Sequence, residues 1–477
     1  MIAAETRSDF GDWLSPMLVK ELRQGMRSKV FMAAFYLTQL LMILCVIFNL
    51  TAASNSGVPG EMLGFLSGLF WFMISVPLLF VMPIRGFGAL HGEMKTGTLE
   101  LVFLTRLSAW RIAAGKWTAI MVQTLLLVCA VLPYVLLRYF LGGVDIIEDL
   151  QSLLFLLLAS AALTGITIAM SPYESKLLRA LFIFGLIFGF QFLVGLIFSY
   201  VAGSAMGRGS GSSLASWPVY VGIMIFLPAF LMLCLEIAAS RIAPPSENHA
   251  LRKRLLGLFF LFSAPVFVLI GIDAKVAYVA ALFFLTVVVI DALAEPMVMA
   301  KSIYHFFFRL GAAGRALSLF FTPGWVSAAW YVALVAALAG SLLAIQGRFN
   351  DGNQTLGYLS LLGALIFPAA LIRLFKPTTK HFLGFYIALQ FFLSAVTLLV
   401  AMMSGISEQP LSIWLCPVPN SVFLLNLVEQ IKPAQTAEFL IVTALTTTAC
   451  LGVLLARTIT PLRDIRAALA QPSPPDA

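Results

Sequence analysis

The chain has 477 residues, 61% of them hydrophobic and 11% charged, with a formal net charge of +8 and a mean hydropathy of +0.98. Soluble domains carry roughly 25% charged residues, and a soluble fold could not keep this much apolar surface from aggregating. Lipid is the expected solvent, and an all-α polytopic helical bundle the expected fold. The basic residues gather at the ends of apolar runs, as membrane topology demands, so no nucleic-acid partner is expected.

Residues 1–29 mix acidic and basic side chains, and the apolar run that begins near Val30 is too long for a signal h-region, so no cleavable signal is expected. Within this stretch Ser15-Pro16 is a good helix start, with Ser as N-cap and Pro at the first helical position. Leu14, Leu18, Leu22 and Met26 form one stripe, and Lys20, Arg23 and Arg27 the opposite one. Glu21 and Lys29 interrupt the pattern. The stretch reads as a cytoplasmic interface helix, apolar side in lipid and basic side toward headgroups or a partner, or equally as a topology anchor.

A bilayer core takes roughly 20 apolar residues per helix. About twelve spans are predicted, at 30–53, 63–84, 114–141, 152–172, 178–203, 217–239, 255–272, 276–292, 324–345, 356–373, 382–404 and 438–458. The pair 255–272 and 276–292 is joined only by Asp273, Ala274 and Lys275. Twelve spans place both termini on one side of the membrane. That side carries 25 of the 30 Lys and Arg residues, which predicts an N-in/C-in arrangement. The chain divides into the interface helix 1–29, six spans in 30–247, six more in 248–470, and a Pro-rich disordered tail 471–477. Arg252–Arg254, after Pro244-Pro245, reads as the linker between the halves.

The most informative segment is the loop from Arg85 to Lys116. Thr96 can cap a short helix carrying Leu99, Val102 and Phe103 at helical spacing, and Ser108 can cap a helix that begins at Ala109 and runs into the third span. An amphipathic helix, a sharp turn and a rigid continuation can pass a push from a partner to a transmembrane helix. The same segment also suits a self-packed hairpin. Lys116 reads as an anchor of the third span at the interface.

The run Glu93-Met-Lys-Thr-Gly-Thr-Leu-Glu-Leu, then Leu104-Thr-Arg-Leu-Ser108, then Ile112 and Gly115-Lys116, resembles the signature of ABC transporter permeases of the type-2 exporter class. Ser15–Arg23, ending in Lys20, Glu21, Leu22 and Arg23, is similar to that family's N-terminal interface helix. The likeness covers residues 13–145 and fades beyond. Arg106 stands where the family has Pro, and twelve spans replace its usual six. The second half is then a diverged permease unit or an added membrane domain.

The resemblance implies a multi-pass subunit of the bacterial cytoplasmic (inner) membrane that exports a substrate and binds a separate ABC ATPase subunit. It implies a coupling region at Glu93, Thr96, Gly97, Thr98, Leu99, Glu100, Thr105 and Ser108. Glu100 orients the coupling helix or pairs with a basic residue of the ATPase. Lipids and a second permease chain, identical or different, are the other implied partners.

The chain has no P-loop, because Gly115-Lys116 is followed by Trp117 and preceded by Trp110 where the first glycine should stand. ATP is therefore expected on the partner, with no cofactor, metal or catalytic residue in this chain. The five cysteines form no CxxC or Cys/His cluster. Asp291, Glu236 and Arg138 lie near span ends, where they are expected to reach the interface, and Asp145, Glu148 and Asp149 read as a solvated outer loop. Gln39, Gln123, Gln191 and Gln390 line a pathway or bond between helices. In the outer stretch Gly405–Ala437, residues 422–428 suggest an interfacial or re-entrant helix, and Trp414 a plain interfacial loop. The alternative functions are a twelve-span secondary transporter and a membrane-embedded transferase. The first lacks that class's short basic motif, and the second lacks clustered carboxylates or His at an interface.

Overall fold

A computed structural model describes residues 16–54, 60–97, 107–141, 145–173, 217–244, 247–272, 274–297, 301–345, 352–375, 381–406, 417–427 and 436–470. Among these, ten helices are long and apolar enough to cross a membrane. They match ten of the expected spans. The expected span 276–292 is the shorter apolar helix Ala277–Leu293, and 178–203 lies outside the described residues. The protein is an all-α, multi-pass membrane protein. Side chains such as Tyr36, Phe140 and Leu269, exposed by 69%, 79% and 87%, are left where lipid would cover them.

The chain divides into two compact units, Met1–Ala243 and Pro244–Ala477. The first contains α1 (Pro16–Met26), α2 (Lys29–Ser54), α3 (Gly60–Ser75), α4 (Met82–Ala89), α5 (His91–Thr96), α6 (Ala109–Leu141), α7 (Ile146–Met170) and α8 (Trp217–Ile242). Its core is one cluster around Phe70, Trp71, Leu78, Met82, Leu127 and Leu156. Helices α6 and α7 lie at its centre, with α1 and α2 packed on α6 and α4 on α7.

The second span continues well past its expected end, through a π-helical turn Val76–Val81, and reaches Lys95. Two prolines explain the turn. Pro77 and Pro83 have no N–H, so an ordinary i→i−4 ladder cannot pass through them. In the wider π register the amide of Met82 bonds the Pro77 carbonyl. The next partner in that register, the Leu78 carbonyl, faces Pro83 and has no amide to accept from. Ser160 of α7, fully buried, donates its hydroxyl to that carbonyl at 2.6 Å.

The second unit contains α9 (His249–Ile270), α10 (Ala274–Leu293), α11 (Lys301–Phe308), α12 (Gly311–Phe321), α13 (Trp325–Ile345), α14 (Gly352–Phe375), α15 (Phe382–Ile406), α16 (Pro419–Leu427) and α17 (Thr436–Ala470). Gly271 closes α9 in the left-handed region, φ 101°, and frees the chain for the tight turn into α10. Helix α9 starts before the expected span, so Arg252–Arg254 is helical and not a linker. Arg373 of α14 lies between the rings of Trp325 and Phe382, 4.5 and 4.3 Å from their centroids. It donates to the carbonyl of Leu293 at the end of α10. The expected outer helix is α16. It packs on α14 and α15, with Val422 and Leu425 buried and the Ser421 hydroxyl 2.6 Å from that of Thr397. Trp414 lies outside the described residues.

Removing the Ser160 hydroxyl orphans a buried carbonyl, which costs about 1–3 kcal/mol. Ser160→Ala should therefore lower the unfolding temperature of the purified protein in detergent. An unchanged temperature would mean that the π-turn does not need this donor.

Candidate functional site

Of the residues singled out in the sequence, Glu21, Glu93 and Lys116 meet at one end of the first unit. Helix α1 packs along α6 with Leu22 buried, so its apolar stripe meets protein and not lipid alone. Lys20, Arg23 and Arg27 are exposed and line a shallow open groove with Val19 and Gln24. Glu21, which interrupts the sequence pattern, turns inward.

Lys116 is the hub. Its ammonium lies 3.1 Å from Glu21 Oε1 on α1 and 2.8 Å from Glu93 Oε1 on α5. The lysine side chain is 5% exposed and the two carboxylates 19% and 18%. Lys116 is therefore no interfacial anchor. A buried ammonium is strongly disfavoured without anionic partners, and here one cation holds two acids from distant parts of the chain.

Arg85 makes a second tie. It donates to the Gln123 side chain of α6 in a short hydrogen bond. Its other nitrogen donates to the Gly25 carbonyl and the Ser28 hydroxyl, each at 3.3 Å. The guanidinium also stands 5.7 Å from the Phe31 ring centroid. The turn between α1 and α2 is thus fastened to α4 and α6. Ser171, at the end of α7, makes a third tie. Its hydroxyl accepts from the amides of Leu90 and His91, at 2.9 and 3.1 Å, and donates to the Phe87 carbonyl at 3.0 Å. Those amides are freed by the break between α4 and α5, and Ser171 uses its full bonding capacity to hold that break in place.

Thr96 ends α5, and Gly97 follows in the left-handed conformation, φ 69°; the helix that Thr96 was expected to cap, with Leu99, Val102 and Phe103, lies outside the described residues. Ser108 caps α6 as expected: its hydroxyl accepts from the Arg111 amide at 3.4 Å and its carbonyl from the Ile112 amide at 3.2 Å. Thr98, Leu99, Glu100 and Thr105 lie outside the described residues.

The charges expected to reach the interface at span ends are buried instead. Arg138, 5% exposed, lies 3.6 Å from Asp149 and 5.0 Å from the Phe70 ring centroid, and bonds Ser67. Asp149 is therefore not part of a solvated loop, whereas Asp145 caps α7 through the Ile147 amide. Glu236 is fully buried on α8.

In the second unit, Lys253 lies 2.5 Å from Asp291 and 2.6 Å from Glu295, and Arg254 lies 2.9 Å from Glu295. Burial alone would raise the Glu295 carboxyl. The two cations outweigh it, hold its pKa below the ordinary carboxylate value and keep it ionised. Of the four glutamines singled out in the spans, Gln123 accepts from Arg85, Gln39 accepts from Tyr134 at 2.8 Å, and Gln390 donates to the Ala364 carbonyl at 2.7 Å, each between helices. Gln191 lies outside the described residues.

Lys116→Met would leave Glu21 and Glu93 without their shared cation. Removing one partner of a buried ion pair costs about 3–5 kcal/mol, and partial exposure of the acids puts this site at the low end. Combining the change with Glu21→Gln and Glu93→Gln should recover most of the lost unfolding temperature, because the penalty lies in the orphaned carboxylates. A triple variant no better than the single would show that the triad does not hold this end together. Comparison with models of known protein families, with curated proteins and with solved structures finds no match for this chain.

Proposed function

We propose that the protein is the permease subunit of an ATP-driven ABC exporter, seated in a bacterial cytoplasmic membrane with both termini inside. A separate ATPase docks on the end of the first unit built from α1, α5 and the start of α6. The observation that carries this reading is the Glu21–Lys116–Glu93 triad. It ties together the three segments that resemble the family's interface helix, signature loop and third span.

A docked ATPase has to move a transmembrane helix. A loop free to bend would absorb the displacement. Here α5 is pinned to α6 through Glu93 and Lys116, to α7 through Ser171, and to α1 through the same lysine. Helix α6 then runs from Ala109 to Leu141, about 1.5 Å per residue, long enough to cross the bilayer. Displacement of α5 is thereby passed to the first turns of one long helix, in which Pro133 breaks the ladder only near the far end. The ATPase supplies hydrolysis, and this chain supplies the pathway and the docking surface.

Affinity purification of the full chain from its native membrane tests the proposal. The expected outcome is co-recovery of a protein with a P-loop, lost when Glu100→Arg reverses the charge of the coupling loop. Recovery of the intact membrane protein with no ATPase would overturn the exporter reading. An ATPase retained undiminished by Glu100→Arg would remove that residue from the contact.

A further inference from the structure

The second unit has a cavity that the exporter reading does not use. It has a volume of about 620 Å³, within the roughly 300–1,000 Å³ typical of small-molecule sites. One wall is the hairpin of α11 and α12, which turns at Gly311 with φ 69°. The opposite wall is α17, through Leu462 and Ile465. Met297, Phe308 and Leu319 give it an apolar side, and Tyr304, Arg315, Ser318 and Thr322 a polar one.

Three observations say what fits. First, the hairpin is cationic: from Lys301 to Gly324 the sequence contains Lys301, Arg309 and Arg315 and no Asp or Glu. The adjoining stretch of α17 adds Arg457, Arg463 and Arg466 against Asp464. Second, the buried carboxylate behind the cavity, Glu295, is already neutralised. Ser327 and Gly324 line the cavity and also bond Arg254, at 3.0 and 3.2 Å. Arg254 and Lys253 in turn hold Glu295, which also accepts from the Gly324 amide at 3.1 Å. No carboxylate pairs with Arg315 among the described residues. Third, the hairpin exposes large apolar side chains beside its cations: Phe306 by 61%, Leu310 by 57% and Leu317 by 43%. A basic helix pair that presents both kinds of side chain lies in a membrane interface, not in bulk water.

We propose that this cavity binds an anionic phospholipid, with the phosphate at Arg315 and the acyl chains along Phe308, Leu319, Leu462 and Ile465. The ligand combines the charge the hairpin lacks with the apolar body the cavity accepts. A free phosphate matches only the first requirement. The site belongs to the second unit alone and stands whether or not an ATPase binds the first.

The test is native mass spectrometry of the purified full chain offered an equimolar mixture of dioleoylphosphatidylglycerol and dioleoylphosphatidylcholine. A cation near a headgroup favours the anionic lipid by about fivefold, so the wild type should retain phosphatidylglycerol by at least about that ratio. Arg315→Glu, at an exposed position, should bring the two lipids to parity at an unchanged unfolding temperature. Ala316→Trp, at a residue lining the cavity, should lower retention of both. Equal retention by the wild type, or a preference that survives both substitutions, would overturn the proposal. So would displacement of the bound lipid by inorganic phosphate, which would mark a simple anion site.

Discussion

A charge inside a helical bundle surrounded by lipid has little water to stabilise it and must find compensating groups on other helices, most effectively an opposite charge. Among the described residues, three groups meet that requirement with opposite charges. Lys116 holds Glu21 and Glu93, Arg138 holds Asp149, and Lys253 with Arg254 holds Asp291 and Glu295. Most of the long helices are apolar on every side, and lipid tails are as apolar as leucine, so burial alone does not choose one face of a helix over another. Close-packed small residues help, but the paired charges distinguish one register from the next. Shifting α6 by one turn relative to α1 would leave an ammonium and two carboxylates without partners, a penalty no gain in apolar packing offsets.

The spans were legible in the sequence because their signal is local: twenty apolar residues need no knowledge of what lies beside them. The start of α6 was legible for the same reason, since Ser108 bonds amides three and four residues away. The ion groups were not. Glu21 and Lys116 are 95 residues apart, and along α1 the glutamate looked like a flaw in an amphipathic stripe. That flaw was the available signal. An acid on the wrong face of a basic helix has a reason to be there, and a lysine a turn inside an apolar run is its natural complement. Arg252–Arg254 misled in the same way. A run of cations beside a proline pair reads as a loop, but successive helical residues point about 100° apart. Arg252 is exposed while Lys253 and Arg254 are buried.

These pairings change what a count of basic residues means. Arg85, Lys116, Lys253, Arg254 and Arg373 are held inside the protein on the richer side, and Arg138 on the poorer. Setting them aside leaves twenty against four of the 30. The asymmetry persists with the same sign, so the expectation of cytoplasmic termini does not depend on these buried cations.

On the exporter reading proposed above, the triad and the Ser171 contacts favour force transmission over simple anchoring. An anchor needs only affinity for the interface, which Lys20, Arg23 and Arg27 provide from the exposed face of α1. It does not need Glu21 turned inward, nor a buried lysine to receive it, and burying that lysine costs stability unless both acids stay in place. A coupling device does need such an arrangement. It has to keep α1, α5 and α6 at fixed separation while the surface they form is pushed, and ion pairs in a low-dielectric setting resist separation more stiffly than apolar contacts, which slide. The break between α4 and α5 would be the weak point of such a lever. Ser171 removes that weakness by satisfying both amides the break exposes.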